Sequence, residues 1–285
     1  MLKKIAYGLV VGLIFAGGLG LLFYPLVSNQ VNEYRHRKLI ESYVEQVAQA
    51  PDADYSQWFE AADAYNRGQV GKSIPDAFAA ISDEEDAEYL AQLSLDPSGV
   101  MAYLSIPRIS VSLPIYHGTS PETLEKGVGH LQGSSLPVGG ESTHAVLSAH
   151  RGLPSATLFT DLDMLEEGDH FYIYVLDRIL AYEVDQIQVV EPDHTEGLAV
   201  QPGEDLVTLV TCTPYGVNTH RLLVRGHRVE YVPEVAQEET KHTVSSTHTR
   251  YGLWAGGGLA AATLFSLLLY GLTRRKRKKT KRNEG

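Results

Sequence analysis

The chain has 285 residues, of which 44% are hydrophobic, and a formal net charge of −11 at pH 7. This length and apolar content support one sizeable folded domain with accessory segments, and the acidic balance argues against polyanionic partners such as nucleic acid. The single cysteine excludes an intrachain disulfide. In an extracellular protein, a lone thiol without disulfides suggests a chemical role.

Long apolar runs near both ends of the chain are predicted to cross a membrane. The first, Ile5 to Val27, carries no charge and follows Lys3 and Lys4, and it is long enough to span a bilayer. The second, Tyr251 to Thr273, is followed by a basic tail at 274–285. Because positive charge concentrates on the cytoplasmic side of membrane spans, we expect both termini inside the cell and the intervening chain outside it.

The first run and the basic tail each have an alternative interpretation. A cleaved signal peptide also has a basic start and an apolar core, but Leu26 and Ser28 form a poor cleavage site, so we favour an uncleaved anchor over 1–28. The tail has the composition of a nucleic-acid-binding arm, yet a basic cluster directly after an apolar run is more simply an orientation signal beside anionic lipid. We therefore expect the lipid bilayer, and no nucleic acid, as a partner.

The stretch 29–99 is predicted to form an extracellular helical extension. Apolar residues repeat at helical spacing between Val31 and Gln49 and again between Tyr55 and Arg67. At about 72–82 neither helical nor strand periodicity is present, so we expect a loop there.

From Val100 to Val232 the sequence changes to short apolar runs separated by turn residues. Seven runs have the composition of strands: Val100–Ile106, Val111–Tyr116, Thr143–Ala149, His170–Leu176, Ile179–Val190, Leu206–Cys212 and Arg221–Val232. With few helices between them, they favour a mostly β domain, a closed or nearly closed barrel, over a doubly wound sheet. The polar stretch 233–250 predicts a flexible linker, which leads to the second membrane helix at 251–273.

The only cysteine lies at the end of a predicted strand. Turn-forming residues separate Cys212 from a further strand that begins at Arg221, so the thiol and the guanidinium are expected at the same end of the barrel. His150 closes another predicted strand, where a side chain can emerge at the barrel rim. On spacing alone, a small buried cysteine and a hydrogen-bonded structural histidine remain alternatives.

The run from Thr211 to Gly226, TCTPYGVNTHRLLVRG, resembles the signature of the sortases, the cysteine transpeptidases of Gram-positive cell surfaces. Thr211-Cys212 followed by Arg221 is the general pattern, and the longer run resembles class C, the pilin-polymerising branch. The resemblance implies an eight-stranded barrel with an N-terminal helical extension. It also implies three catalytic roles: Cys212 as nucleophile, His150 as general acid and base, and Arg221 as the cation that stabilises the oxyanion or orients substrate.

Class C sortases also carry a lid in which an aspartate, a proline and an aromatic residue cover the active site. Asp76-Ala77-Phe78 matches the first and third positions and has alanine at the second. The resemblance implies that Asp76 contacts a cation in the cleft and that Phe78 covers the thiol. Because alanine frees a backbone torsion that proline would fix, we expect a looser lid than in the family. An ordinary interhelical loop is the alternative.

The activity implied by the resemblance is cleavage of an LPxTG-type sorting signal between Thr and Gly, with a thioester on Cys212. The acyl group would pass to a lysine of another pilin subunit, without a cofactor or a metal ion. A housekeeping sortase that attaches proteins to peptidoglycan is the alternative within the family. A catalytically silent, membrane-tethered binding module is the alternative from another class of protein.

Overall fold

The fold comes from a computed structural model that describes residues 2–49, 54–78, 87–95, 98–241, 243–244, 247 and 249–263. It divides into two compact units, Met1–Val27 with Thr247–Gly285, and Ser28–Ser246. Helix α1 (Leu2–Ala48) begins in the first unit and continues into the second. The predicted helix at Val31–Gln49 is therefore the C-terminal part of one long helix, because no break follows the apolar run.

One helix in the described part of the chain is long and apolar enough to cross a membrane, namely α1 over Leu13–Ala48. The sequence predicted two such helices. Of the second, residues 251–263 are helical, whereas 264–273 and the basic tail at 274–285 lie outside the described residues. The structure therefore supplies one candidate membrane helix, at the N-terminal end.

Eight strands form a closed barrel in the order β1-β2-β3-β4-β7-β8-β6-β5. Parallel pairing occurs between β2 and β3 and between β4 and β7, and the other neighbours are antiparallel. The strands are β1 (Val100–Ile106), β2 (Val111–His117), β3 (Val128–His130), β4 (Thr143–Ser148), β5 (His170–Val175), β6 (Arg178–Val190), β7 (Asp205–Thr213) and β8 (His220–Val229). The predicted closed barrel is confirmed. Periodicity missed β3 because three residues are too few to show an alternation.

Strands β4 and β7 position the residues of the candidate active site. All six residues of β4 are buried, and so are the seven central residues of β7, which fits their almost continuous apolar and β-branched sequence. The two strands run parallel, with Thr143 opposite Asp205 and Ser148 opposite Val210. Their carboxyl ends therefore lie side by side at one rim of the barrel.

Short helices pack around the barrel. Helix α2 (Ser56–Arg67) buries Phe59, Ala62 and Asn66, while α3 (Ala87–Ala91) buries Tyr89. Helix α4 (Pro121–Lys126) lies between β2 and β3 and is capped by Ser120, whose hydroxyl accepts a hydrogen bond from the Thr123 amide.

The stretch after the barrel departs from the predicted flexible linker at 233–250. Helix α5 (Pro233–Lys241) follows the barrel. The Glu239 carboxylate accepts hydrogen bonds from His170 Nδ1 at 2.7 Å and from the Tyr172 hydroxyl at 3.0 Å. The polar composition of this stretch suggested a tether, but a carboxylate at one helical position anchors the segment to β5.

Candidate active site

Cys212 and His150 lie at the shared rim of β4 and β7. The parallel register pairs Ser148 with Val210, and two further contacts extend it: the Ala149 amide donates to Val210 O at 3.2 Å and Thr211 Oγ1 donates to Ala149 O at 2.8 Å. Continuing the register by one residue places His150 beside Cys212. The buried threonine ahead of the cysteine therefore fixes where β4 ends and where the histidine emerges.

Arg221 reaches the same rim from β8. Cys212 and Arg221 are direct cross-strand partners in the antiparallel β7 and β8 pair. The Arg221 guanidinium lies within 3.6 Å of the Cys212 Sγ through Nη1. The structure thus brings the thiol and the guanidinium together, as their positions around the intervening turn predicted.

Residues 72–78, the described part of the loop predicted at about 72–82 and here called the lid segment, contact this rim through Asp76 and Phe78. Residues 79–82 lie outside the described part of the chain. Asp76 binds Arg221 with both carboxylate oxygens, at 2.8 Å from Nε and 2.6 Å from Nη2. The two side chains are only 15% and 12% exposed, so this is a largely desolvated, bidentate pair of the kind that fixes geometry. The cation that Asp76 was expected to contact is therefore Arg221.

Phe78 lies between the imidazole and the guanidinium. Its ring centroid is 5.8 Å from that of His150, and the Arg221 guanidinium carbon lies 5.1 Å from the Phe78 ring centroid. The second distance is within the range of a cation–π contact. In this arrangement one aromatic ring contacts both polar groups.

The lid segment also packs against an apolar cluster. Ile74 and Ala77 are 4% and 1% exposed, and they form a cluster with five buried residues of the barrel and of the loop between β6 and β7: Leu131, Val146, Leu198, Val210 and Leu223. In addition, Thr195 Oγ1 donates a hydrogen bond to Ile74 O at 2.6 Å. Sequence reasoning missed this apolar cluster because its residues are far apart along the chain.

Burial disfavours charge on both the thiol and the imidazole. It raises the pKa of Cys212 above the ordinary thiol value; the Arg221 guanidinium opposes this increase and the Asp76 carboxylate adds to it. Burial also lowers the pKa of His150, against the opposing influence of Glu125. In this arrangement burial therefore disfavours both the thiolate and the imidazolium.

Arg151, next to His150, is a second arginine at this rim that sequence reasoning assigned no role. It forms an ion pair with Asp163, and its Nη1 donates to Thr213 Oγ1 at 3.2 Å. Gly152 follows with φ +77°, and a Cβ there would lie 3.2 Å from the Tyr215 ring. Through Arg151 and Gly152, the loop after β4 contacts the end of β7, the strand that carries Cys212.

One group of potential metal ligands occurs among the described residues, formed by Glu191, Asp193 and His194 after β6. All three residues are exposed, and exposed acidic groups of this kind are common without a bound ion. In the part of the chain that the structure describes, no hydrogen bond joins this group to Cys212, His150 or Arg221.

The chain is similar to known proteins in both sequence and fold. The family model described as a sortase domain matches residues 104–229. Sortase D of Bacillus subtilis is 30% identical over 163 residues, which are 56% of this chain and 79% of that protein. Sortase C-1 from Actinomyces oris is 49% identical with a TM-score of 0.60, covering 62% of this chain and all of the solved one. Streptococcus agalactiae sortase C1 is 48% identical with a TM-score of 0.63, covering 70% of this chain and 97% of that one.

Proposed function

The chain belongs to the sortase family of cysteine transpeptidases, and from that premise we propose that it cleaves an LPxTG-type sorting signal between Thr and Gly and joins the acyl fragment to a pilin lysine. The observation that carries this proposal is the meeting of Cys212, His150 and Arg221 at one barrel rim. The substrate class follows from the family. A pilin substrate is supported by the similarity to solved C-type sortases, since the structure of Streptococcus pneumoniae sortase C is described as providing insights into pilin substrate specificity. The lysine acceptor is proposed from the class C resemblance of residues 211–226.

In the first step, the Cys212 thiol transfers its proton to the His150 imidazole and attacks the Thr carbonyl carbon. The resulting tetrahedral oxyanion is stabilised by Arg221, which is already within contact of the sulfur. Protonated His150 then donates its proton to the departing glycine amine. The C–N bond breaks, and a thioester on Cys212 remains.

In the second step, a lysine amine of another pilin subunit replaces the departed glycine. His150, again neutral, accepts a proton from this amine as the amine attacks the thioester. The C–S bond breaks, the proton returns to the thiolate, and an isopeptide bond forms. Because the thioester retains the acyl energy of the cleaved amide, the exchange requires no nucleotide cofactor.

The lid segment is proposed to keep the enzyme inactive until substrate arrives. In the closed state, Asp76 occupies the Arg221 guanidinium and Phe78 covers the approach to His150. Asp76 holds the Nε and Nη2 donors of Arg221 and leaves Nη1 beside the sulfur. We expect the lid segment to move before the first step, because its departure frees these two donors for the oxyanion. Its departure also removes the Asp76 charge that raises the pKa of Cys212, and the thiolate becomes easier to form.

A membrane position for the enzyme is proposed on the basis of α1, which could span a bilayer. With Lys3 and Lys4 before the apolar run, this orientation places the N-terminus in the cytoplasm and the barrel outside the cell. A second span at 251–273 and a cytoplasmic C-terminus stay predictions of the sequence. Membrane attachment on the outer side would place the enzyme where secreted pilin subunits emerge.

The test is incubation of the full chain in detergent micelles with an LPxTG-type peptide and competing amines. We expect cleavage after Thr and transfer to a lysine within a pilin subunit, seen as a covalent ladder on a denaturing gel, with neither product from Cys212→Ala. Transfer to a peptidoglycan stem amine, with no transfer to lysine, would support the housekeeping alternative. A folded protein that cleaves no such peptide, even as the Asp76→Ala variant, would support the silent binding module.

A further inference from the structure

The loop that follows β4 carries His150 and is closed on itself. The Phe159 amide donates to His150 O at 3.1 Å, and the Gly152 amide donates to Thr160 Oγ1 at 3.1 Å. Among the described residues, no hydrogen bond reaches the His150 ring. The position of the imidazole therefore depends on its ring contact with Phe78 and on the backbone of this loop, here called the histidine loop (150–160).

The histidine loop is attached to helix α1. The Asn29 side chain accepts two hydrogen bonds from Thr157 through Oδ1, at 2.8 Å from the amide and 2.9 Å from the hydroxyl. Close by, Ser155 O accepts from Asn32 Nδ2 at 2.8 Å and from the Ser28 hydroxyl at 3.3 Å. Three polar side chains of one helix face thus converge on two residues of the loop.

Asn29 is the central member of this attachment. It is only 5% exposed, and its own amide donates to Glu33 Oε1 at 2.7 Å, which orients the side chain so that Oδ1 faces Thr157. Buried polar groups are costly to leave without partners, so the contact strongly favours one arrangement of loop and helix. An arrangement of this kind can fix a reacting group to within a fraction of an ångström, and a misplacement of 1 Å can cost about 100-fold in rate.

We infer that Asn29 is a positioning residue for His150: by binding Thr157 it fixes the histidine loop against helix α1 and sets where the imidazole stands relative to Cys212. The inference rests on the proposed function, since it assigns His150 the acid and base role. It adds that the helix just beyond the apolar N-terminal run forms part of the catalytic architecture. The anchoring helix thereby supports the reacting histidine as well as tethering the barrel.

The experiment compares Asn29→Ala with Asn66→Ala in the full chain. Asn66 is a matched control because it is also a buried helical asparagine, 3% exposed, that pins a loop by accepting from the Leu136 amide at 2.7 Å and donating to Leu136 O at 3.3 Å. We expect the two variants to lower the melting temperature similarly. Only Asn29→Ala should lower kcat for sorting-peptide cleavage, by roughly 10- to 100-fold, while KM changes less than threefold.

A rescue variant distinguishes a misplaced His150 from a destabilised protein. In Asn29→Asp combined with Glu33→Gln, the carboxylate still accepts both Thr157 hydrogen bonds and the new amide can donate to it, so kcat should return to within about threefold of wild type. Equal kcat losses in Asn29→Ala and Asn66→Ala, or an unchanged kcat in Asn29→Ala, would overturn the inference.

Hydrogen exchange measured by mass spectrometry tests the same contact without turnover. In Asn29→Ala we expect faster exchange of the Thr157 amide and also of the Phe159 amide, which is bonded to His150 O. Acceleration confined to Thr157, or absent, would contradict the inference. If wild type cleaves no sorting peptide, the proposed function fails on that result, and the exchange data still decide whether Asn29 fixes the histidine loop.

Discussion

Two regions meet at Cys212 and are held in different ways. The histidine loop is held by contacts that a substrate would not replace: Asn29 binds Thr157, and Thr211 binds Ala149 just before the loop. The lid segment is held by its buried Ile74 and Ala77 and by Asp76 on two donors of Arg221, the cation proposed to bind the oxyanion. One side of the site is therefore held independently of the substrate, and the other includes a contact that competes with the oxyanion for Arg221.

This difference separates preorganisation from gating. A group that transfers protons gains from being fixed before the substrate binds. We therefore expect the backbone of the histidine loop to keep its position when the lid segment moves, although the imidazole then loses its contact with Phe78. The lid segment, by contrast, competes with the oxyanion for Arg221 only while it is closed. Substitutions on the fixed side should therefore reduce the chemical step, and those on the lid side should change how often the site is open.

The largest expected effects come from the rim residues. Cys212→Ala should abolish both cleavage and thioester formation, since no other thiol exists in the chain. His150→Ala should lower kcat/KM by roughly 100- to 10,000-fold, the usual contribution of a positioned acid and base. Steady-state cleavage of a fluorogenic sorting peptide measures both. A His150→Ala loss below tenfold would remove the histidine from the mechanism.

Arg221 should show a somewhat smaller effect that depends on geometry. Arg221→Ala is expected to lower kcat by about 100- to 1,000-fold, as removal of an oxyanion donor does. Arg221→Lys keeps the charge but loses the planar guanidinium and its fixed set of donors, so it should restore only part of the rate. Single-turnover measurement of acyl-enzyme formation checks both variants. Full activity in Arg221→Ala would contradict an oxyanion role.

Asp76→Ala should instead increase the access of reagents to the Cys212 thiol. Hydrogen bonds between charged groups contribute roughly 1.5–3 kcal/mol, so their loss should speed modification of Cys212 by a methanethiosulfonate reagent on the order of 10- to 100-fold. Phe78→Ala, which keeps the ion pair, is the comparison for shielding by the ring alone. Unchanged modification rates in both variants would exclude the lid role.

The pH dependence of that modification should also shift. Because the Asp76 carboxylate raises the pKa of Cys212 and Arg221 lowers it, removing the carboxylate lowers the thiol pKa. The thiolate is the reacting form, so the rate profile of Asp76→Ala should move to lower pH than that of wild type. A profile displaced to higher pH would contradict the assigned electrostatics. Stopped-flow modification across a pH series provides the measurement.

The smallest effect is expected from the hydrogen bond between Thr195 and the lid segment. Thr195→Val removes the hydrogen bond to Ile74 O, a neutral contact of about 0.5–1.5 kcal/mol, and should speed thiol modification roughly 2- to 10-fold. Thr195→Ser retains the hydroxyl and should behave like wild type. A larger effect in Thr195→Val than in Asp76→Ala would reverse the proposed order of lid contacts.

Local patterns predicted the barrel and the meeting of Cys212 with Arg221, since both depend on strand runs and on one short turn. A contact between Asp76 and a cation in the cleft was expected only through the family resemblance. The structure identifies this cation as Arg221, which is 145 positions away along the chain. Asn29 and Thr195 gave no local signal, since an exposed and a buried asparagine or threonine look the same in a sequence. Helix α5 was missed because its anchor is a single carboxylate, Glu239, bound to β5.

The most direct test of the rim chemistry is mass spectrometry of the intact protein after brief exposure to a sorting peptide without an acceptor amine. The Asp76→Ala variant, with its lid contact removed, should accumulate an acyl adduct equal in mass to the peptide up to its Thr, mapped to Cys212 and released by hydroxylamine. Cleavage of the peptide after Thr with no adduct on Cys212 at any time, or an adduct on another residue, would contradict the account.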